Sequence, residues 1–184
     1  GPGAIGQLFA ASLRRSTHKI MLFDYQRDRA KHLNFNGITV LGAKQDILFQ
    51  AYPEISIDFS LLNKCSTVIL ATKAYHLKDV IKEMKRVQFQ GTLLTLQNGF
   101  GHGDLLADEL PECQIFEAVT FQGATFLEPG RIIHAGTGIT YLPNHPEMTP
   151  LAELFNESDI ETKLVDDIQN EIWKKLILNS GINP

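Results

Sequence analysis

The last twelve residues of the sequence, WKKLILNSGINP, combine a lysine with two asparagines at a regular spacing. Lys175, Asn179 and Asn183 follow one another at intervals of four, so on a helix they would share one face. An ammonium group can stabilise and then protonate an oxygen that gains negative charge, and carboxamides can hold polar groups without adding charge. The segment therefore predicts either an ordinary amphipathic surface helix or one wall of an active site.

Lys174 is the competing candidate for the same chemistry. Successive residues on a helix lie about 100° apart, so only one of Lys174 and Lys175 can share the face of the asparagines. The spacing favours Lys175.

The first six residues, GPGAIG, match the GxGxxG pattern and run into an apolar helical segment. In such a loop Gly1 would make the tight turn, Gly3 would let the backbone approach a pyrophosphate, and Gly6 would let the helix pack on a sheet. The strand-like run KIMLF follows, and Asp24 ends it 23 residues after Gly1, where an acid would hydrogen-bond ribose hydroxyls. The alternative is an expression tag followed by an unrelated helix.

Two further candidates follow buried strand-like runs. Lys73 comes after VILAT, where it could neutralise a phosphate or point into solvent. Asn98 comes after TLLTL and precedes Gly99, so it could belong to a plain turn or could contact both a nicotinamide and a polar substrate. Ligands of doubly wound sheets bind beyond the carboxyl ends of the strands, which favours a functional role for both residues.

The elements that must position these residues alternate along the first half of the chain. The patterns predict helices near 4–15, 27–35 and 75–85, buried strands at 19–23, 68–72 and 92–96, and a hairpin from ITVLG and KQDILFQ. This order predicts an α/β fold with a doubly wound parallel sheet. Because a phosphate loop needs a strand before it, we expect about six residues of strand ahead of Gly1.

The second half of the chain has a different pattern. The runs IFEAVTFQGATF, RIIHAG and GITYL, separated by turn residues, predict antiparallel strands appended to one edge. Helices are predicted near 150–156 and from Asp167 onward, with Asp166 or Asp167 as N-cap.

Composition restricts the class of partner. The net charge of −4 provides no basic surface for nucleic acid, and no apolar run approaches the ~20 residues that span a bilayer. Cys65 and Cys113 match no zinc or redox spacing, which is typical of reduced thiols in a cytosolic protein. The histidines form no metal-binding pattern, so we expect no metal, and His102 is only a secondary candidate for the site.

Five segments together resemble the ketopantoate reductase (2-dehydropantoate 2-reductase) family in order and spacing. They are GPGAIG, ATKAYHLKDVI, LQNGFG, EPGRIIHAGTG and WKKLILNSGINP, and the similarity covers essentially the whole chain. The resemblance implies a cytoplasmic enzyme with a Rossmann-type domain that reduces ketopantoate to pantoate with NADPH, in pantothenate and coenzyme A biosynthesis.

The resemblance also implies roles for individual residues. Lys175 would be the catalytic proton donor, and the substrate would be held by Asn98, Asn179 and Asn183. The cofactor contacts would be Gly1, Pro2, Gly3, Ala4, Ile5, Gly6, Asp24, Lys73, Asn98 and Ala124.

The resemblance further divides the chain into a dinucleotide-binding domain, residues 1–166, and the start of a helix, residues 167–184. That helix would lead into a C-terminal helical substrate domain that lies outside the sequence. We therefore expect the chain alone to bind a dinucleotide weakly and to turn over little substrate. A homodimer formed through the further domain is compatible with the resemblance.

The stretch FDYQR departs from the family pattern, which has an arginine near this position for the adenosine phosphate. Asp24 would repel a 2′-phosphate, although Arg27 could compensate, so NADH is an alternative to NADPH. Two other functions remain open, namely reduction of another branched 2-keto acid and non-catalytic dinucleotide sensing. A sensor would have no need of Lys175, Asn179 and Asn183 on one helix face.

Overall fold

A computed structural model of the chain describes residues 1–182, and the side chains of residues 1–181. Its α-helices are α1 (Ala4–Leu13), α2 (Arg27–Asn36), α3 (Leu77–Arg86), α4 (His102–Glu109), α5 (Thr149–Glu157) and α6 (Ile168–Ile182). Short 3₁₀ turns cover Phe59–Lys64 and Ala74–His76. The first strands are β1 (Met21–Phe23), β2 (Ile38–Leu41), β3 (Ile47–Ala51), β4 (Glu54–Ser56), β5 (Thr67–Leu70) and β6 (Thr92–Thr95). The later strands are β7 (Gln114–Glu117), β8 (Val119–Thr120), β9 (Gly123–Glu128), β10 (Arg131–Gly136), β11 (Thr140–Pro143) and β12 (Thr162–Val165).

Two groups of parallel strands form the part of the fold that the alternating pattern predicts. Strand β1 pairs in parallel with β4, and β6 pairs in parallel with β5 on one side and β7 on the other. Helix α3 connects β5 to β6 and α4 connects β6 to β7, as expected of parallel crossovers. The carboxyl ends of β5, β6 and β7 consequently lie side by side.

The remaining strands form two further sheets. The predicted hairpin β2–β3 is present, and the β9–β10 hairpin extends it into a four-stranded sheet because β10 pairs in parallel with β2. Strand β11 joins β8 and β12 in a separate three-stranded sheet. The runs predicted to form one antiparallel edge are therefore divided among three sheets, since the first of them begins in β7, which pairs in parallel with β6. The structure differs from the predicted single edge because alternation within a strand does not identify its partner.

Helix α1 lies between two of the hydrophobic clusters. Leu8 and Ala11 pack in a cluster with β2 and β10, whereas Phe9 and Leu13 pack in a second cluster with β6 and α5. A helix that is buried on more than one side is apolar nearly all round, which explains the run AIGQLFAASL. The packing fixes the direction of the helix and therefore of the glycine loop that precedes it.

Helix α6 carries Lys175 and Asn179, the site residues predicted near the end of the sequence. It begins at Ile168, and the side chain of Asp167 accepts a hydrogen bond of 3.0 Å from the Asn170 amide, so Asp167 is the N-cap among the two predicted residues. Ile172 is buried and anchors the helix to the rest of the chain.

The sequence patterns did not predict α4, which is a short helix with a mixed pattern.

Candidate functional site

The glycine loop turns tightly into α1. Gly3 is the N-cap residue with an extended backbone, and a Cβ built on it would meet no atom of the described chain within 4 Å. A Cβ on Gly6 would instead overlap the carbonyl oxygen of Gly1. Gly6 is thus required by packing within the loop, while the open side of Gly3 and the free amides of the helix N-terminus fit a phosphate. Pro2 is buried, and Ala4 and Ile5 form the first residues of α1.

Gln7 fastens this loop to a distant turn. Its side chain is fully buried; Nε2 donates to the carbonyl oxygen of Pro2 at 2.8 Å, and Oε1 accepts from the Gly130 amide at 3.0 Å. Both ends of the carboxamide are therefore satisfied, which stabilises the loop in one conformation. No local spacing in the sequence indicated this role.

Asp24 lies at the end of β1, as predicted, but its carboxylate is already engaged. The residue is 1% exposed, and both oxygens accept hydrogen bonds of 2.5 Å from the guanidinium of Arg29. The amide of Gln26 donates to the same carboxylate at 2.9 Å. The bond with Asp24 raises the pKa of Arg29. The compensating guanidinium is therefore that of Arg29, while Arg27 is exposed at the first position of α2.

The loops after β5 and β6 are tied together by Gln97. Its amide nitrogen donates to the hydroxyl of Thr72 at 2.9 Å and to the carbonyl oxygen of Thr72 at 3.1 Å. Lys73 follows Thr72 and is exposed. Gly99 has a φ of +126°, a conformation that favours glycine, so the Asn98-Gly99 pair makes a genuine turn. The ring of His102 packs directly against Gly99 and helps to wall this turn.

The side chains of Asn98, Lys175 and Asn179, which the sequence predicts as site residues, meet in one narrow cleft, which we call the lysine cleft. Its walls include Gln97, Asn98, Ala118, Val119, Lys175 and Asn179. The loop after β6, the start of β8 and the inner face of α6 bring these residues together. Asn183 lies outside the described residues. Ala124 is in β9, opposite His134 of β10.

Lys175 points into the lysine cleft and is partly desolvated there. Its Nζ donates to the carbonyl oxygen of Thr120 at 2.5 Å and lies 5.8 Å from the ring centre of Phe121. Burial lowers the pKa of Lys175 to about 8. An amine with such a pKa is largely protonated near neutral pH yet releases its proton readily, as a general acid requires.

Lys174 has a different environment. Its Nζ donates to the carboxylate of Glu171 at 2.6 Å on the outer side of α6, and this hydrogen bond raises the pKa of Lys174. The structure therefore places Lys175, and not Lys174, on the face that carries Asn179.

Residues 1–182 contain no cluster of three or more His, Cys, Asp or Glu side chains suited to a metal ion. Within the same part of the chain, no helix combines the length and apolar character that crossing a bilayer demands.

Comparisons with known proteins identify the family of the chain. The family model described as "Ketopantoate reductase PanE/ApbA" matches residues 1–147. The chain is 27% identical over 188 residues to a protein of Halobacterium salinarum named 2-dehydropantoate 2-reductase, covering all of this chain and 62% of the relative. A relative of the same name from Pyrococcus horikoshii is 30% identical over 189 residues, with 100% of this chain and 60% of the relative covered. The chain thus spans about three fifths of the length of the curated relatives it matches.

Solved structures establish the fold. A PanE/ApbA family ketopantoate reductase from Ralstonia eutropha JMP134 superposes with a TM-score of 0.86 at 24% identity, covering 97% of this chain and 59% of that one. D-mandelate dehydrogenase in complex with NADH gives a TM-score of 0.81 at 23% identity, with 97% and 58% covered. At this identity the likeness concerns the fold alone, and it confirms the predicted Rossmann-type α/β architecture.

Proposed function

Because the chain belongs to the ketopantoate reductase PanE/ApbA family, whose model matches residues 1–147, we propose that the protein reduces 2-dehydropantoate to pantoate. The observation that carries the proposal is the convergence of Asn98, Lys175 and Asn179 on the lysine cleft. A dinucleotide sensor would have no use for a half-buried lysine with carboxamides on both sides.

The residues at the carboxyl edge of the strands fit a nicotinamide dinucleotide, which would supply the hydride when bound. The amides at the start of α1 and the open side of Gly3 would hold its pyrophosphate. Lys73 is exposed beside the same edge and would neutralise phosphate charge. Asn98 would contact both the nicotinamide and the substrate from the turn after β6.

Lys175 would complete the reduction by donating a proton. Hydride addition to the keto carbon places negative charge on the carbonyl oxygen, and transfer of one proton from Nζ to that oxygen gives the alcohol. An ammonium group has three N–H donors, and the carbonyl oxygen of Thr120 takes one of them. The other donors remain for the substrate, which Asn179 would orient from the next turn of α6.

The test of this function is an assay of dinucleotide oxidation with 2-dehydropantoate in the full-length protein. We expect turnover there, and little or none with the 184-residue chain alone. Turnover restricted to another branched 2-keto acid would replace the proposed substrate, and dinucleotide binding without turnover on any 2-keto acid would contradict an enzymatic role.

We further propose NADPH as the preferred cofactor. A carboxylate that recognises ribose hydroxyls must be accessible, but the Asp24 side chain is fully buried, and its oxygens already accept from Arg29 and from the Gln26 amide. The paired Asp24 contributes little net charge, and Arg29 keeps a third nitrogen for a phosphate oxygen. Arg27 adds a second guanidinium at the N-terminus of α2. Together these groups favour a 2′-phosphate.

Replacing Arg29 with lysine should weaken NADPH binding by about tenfold and change NADH binding much less, because lysine keeps the charge but loses the fork of donors. Titrations of both dinucleotides by fluorescence would measure the two dissociation constants. Arg131→Lys is the matched control, since Arg131 forms an exposed ion pair with Glu128 elsewhere on the surface. Tighter binding of NADH than of NADPH by the unaltered protein would contradict the proposed preference.

The homodimer and the cytoplasmic location that the resemblance implies remain predictions.

A further inference from the structure

Glu117, the last residue of β7, links α4 to α6, the helix that borders the lysine cleft. Its Oε1 accepts a hydrogen bond of 3.1 Å from the amide of Gly103 in the first turn of α4. Its Oε2 accepts a hydrogen bond of 2.5 Å from the side-chain amide of Gln169 in the first turn of α6. One carboxylate therefore holds the beginnings of both helices.

The contact with α4 is closely packed. A Cβ built on Gly103 would lie 2.5 Å from Cδ of Glu117 and 2.6 Å from its Cγ, so a larger residue at this position would displace the Glu117 side chain. The carboxylate also lies at the N-terminus of α4, where the helix dipole attracts negative charge. Glu117 is thus held by hydrogen bonds from both helices and packs closely against Gly103.

The hydrogen bond between Glu117 and Gln169 holds α6, the helix that carries Lys175. Gln169 precedes Lys175 by six residues, which is about 9 Å along the helix axis. A second link lies between them, because the ring of Trp173 on α6 packs against Phe100 with 5.2 Å between centroids. Phe100 belongs to the loop that follows Asn98 and leads into α4. The aromatic contact therefore joins the helix of Lys175 to the loop of Asn98, and Glu117 joins the same helix to the first turn of α4, which directly follows that loop.

We propose that Glu117 is a positioning residue that holds α6 against the loop after β6 and so sets the place of Lys175 relative to Asn98. The inference rests on the proposed reduction, in which the substrate must meet both side chains. General-acid catalysis depends steeply on this placement, since a displacement of about 1 Å can cost a hundredfold in rate. Glu117 touches neither substrate nor cofactor in this role.

The test combines Glu117→Ala, Gln169→Ala and the double variant in the full-length protein. Each single change should lower kcat for 2-dehydropantoate by about 10- to 100-fold, with dinucleotide affinity unchanged within about twofold. The double variant should be no slower than Glu117→Ala, because both changes break the same link. Gln169 is exposed, so its removal leaves folding intact even where loss of Glu117 lowers stability.

Two controls separate positioning from general stability. Glu117→Gln should recover most of the lost kcat, because a carboxamide still accepts from Gly103 and can pair with Gln169. Glu109→Ala should leave kcat unchanged, since Glu109 is the last residue of α4, at the opposite end from Gly103, and pairs with Lys85 of α3. Equal losses of kcat in Glu109→Ala and Glu117→Ala would overturn the proposal.

A measurement that does not depend on turnover tests the positioning role of Glu117 separately from the proposed reduction. Pulse labelling with an amine-reactive reagent, followed by mass spectrometry, measures how the reactivity of Lys175 varies with pH. In Glu117→Ala and Gln169→Ala the titration of Lys175 should move upward from about 8 toward its ordinary value, because a displaced α6 exposes the amine to water. An upward shift without turnover in any variant would refute the reduction and retain the positioning role. Unchanged titration together with unchanged kcat would refute the positioning role alone.

Discussion

Replacing Lys175 with alanine is expected to lower kcat for 2-dehydropantoate reduction by about 10²- to 10⁴-fold, the range that a positioned general acid contributes. The loss should fall on kcat, because the pyrophosphate of the dinucleotide would be held by the start of α1 and by Lys73, and not by Lys175. Steady-state kinetics in the full-length protein, with dinucleotide affinity measured separately by fluorescence, would distinguish the two effects.

Lys174→Ala is the matched control for this change. Lys174 has the same side chain one position earlier, but it pairs with Glu171 on the outer side of α6. Its removal should leave kcat within about twofold of the original value, because Lys174 is exposed and is not part of the lysine cleft. Equal losses in the two variants, or full turnover in Lys175→Ala, would remove Lys175 from the mechanism.

The environment of Lys175 also predicts a pH profile. Its pKa is lowered to about 8 by burial, and the reduction needs the protonated amine. Activity should therefore be fully present below this pKa and should fall as the pH rises through about 8, well below the 10.5 of an ordinary lysine. A rate that stays level up to pH 10 would show that Lys175 does not supply the proton.

The second large effect is expected at Gly6. Replacing it with alanine forces Cβ against the carbonyl oxygen of Gly1, so the loop must move away from α1. Such overpacking costs about 1–3 kcal/mol and should weaken dinucleotide binding at least tenfold. Thermal unfolding with and without dinucleotide would show both a lower Tm and a loss of the ligand-induced increase.

Gly3→Ala provides the comparison, because the new Cβ meets no described atom within 4 Å. The Tm without ligand should change little, whereas dinucleotide binding should weaken because the methyl group occupies the approach of the pyrophosphate. The two variants would then differ in cause: Gly6→Ala would weaken binding by destabilising the fold, and Gly3→Ala by obstructing the pyrophosphate. Unimpaired dinucleotide binding in Gly3→Ala would place the pyrophosphate elsewhere.

The site residues that could be predicted from the sequence are those whose spacing indicates a shared helix face or a single turn. Lys175 and Asn179 lie four apart on a helix, and the glycines of the first loop lie at fixed intervals, so each set could be assigned to one face or one turn. The choice between Lys174 and Lys175 followed from the same register. These features depend only on local geometry.

The residues that sequence reasoning missed act through distant partners. Gln97 bonds to Thr72, and Glu117 bonds to the backbone of one helix and a side chain of another, so no local pattern marks them. Arg27 was expected to compensate for the charge of Asp24, but α2 begins at that residue. The third position of the helix, Arg29, is the one that turns back toward the strand end.

The bond between Gln7 and Gly130 spans 123 residues, and this separation affects the order of folding. Contacts between residues far apart in sequence form late, because a long segment of chain must first be ordered. During synthesis, Gln7 cannot hold the glycine loop in place until the chain has been made as far as Gly130, 123 residues later. We therefore expect a nascent chain to gain affinity for a dinucleotide only after the β9–β10 hairpin has formed, so that binding marks a late stage of folding.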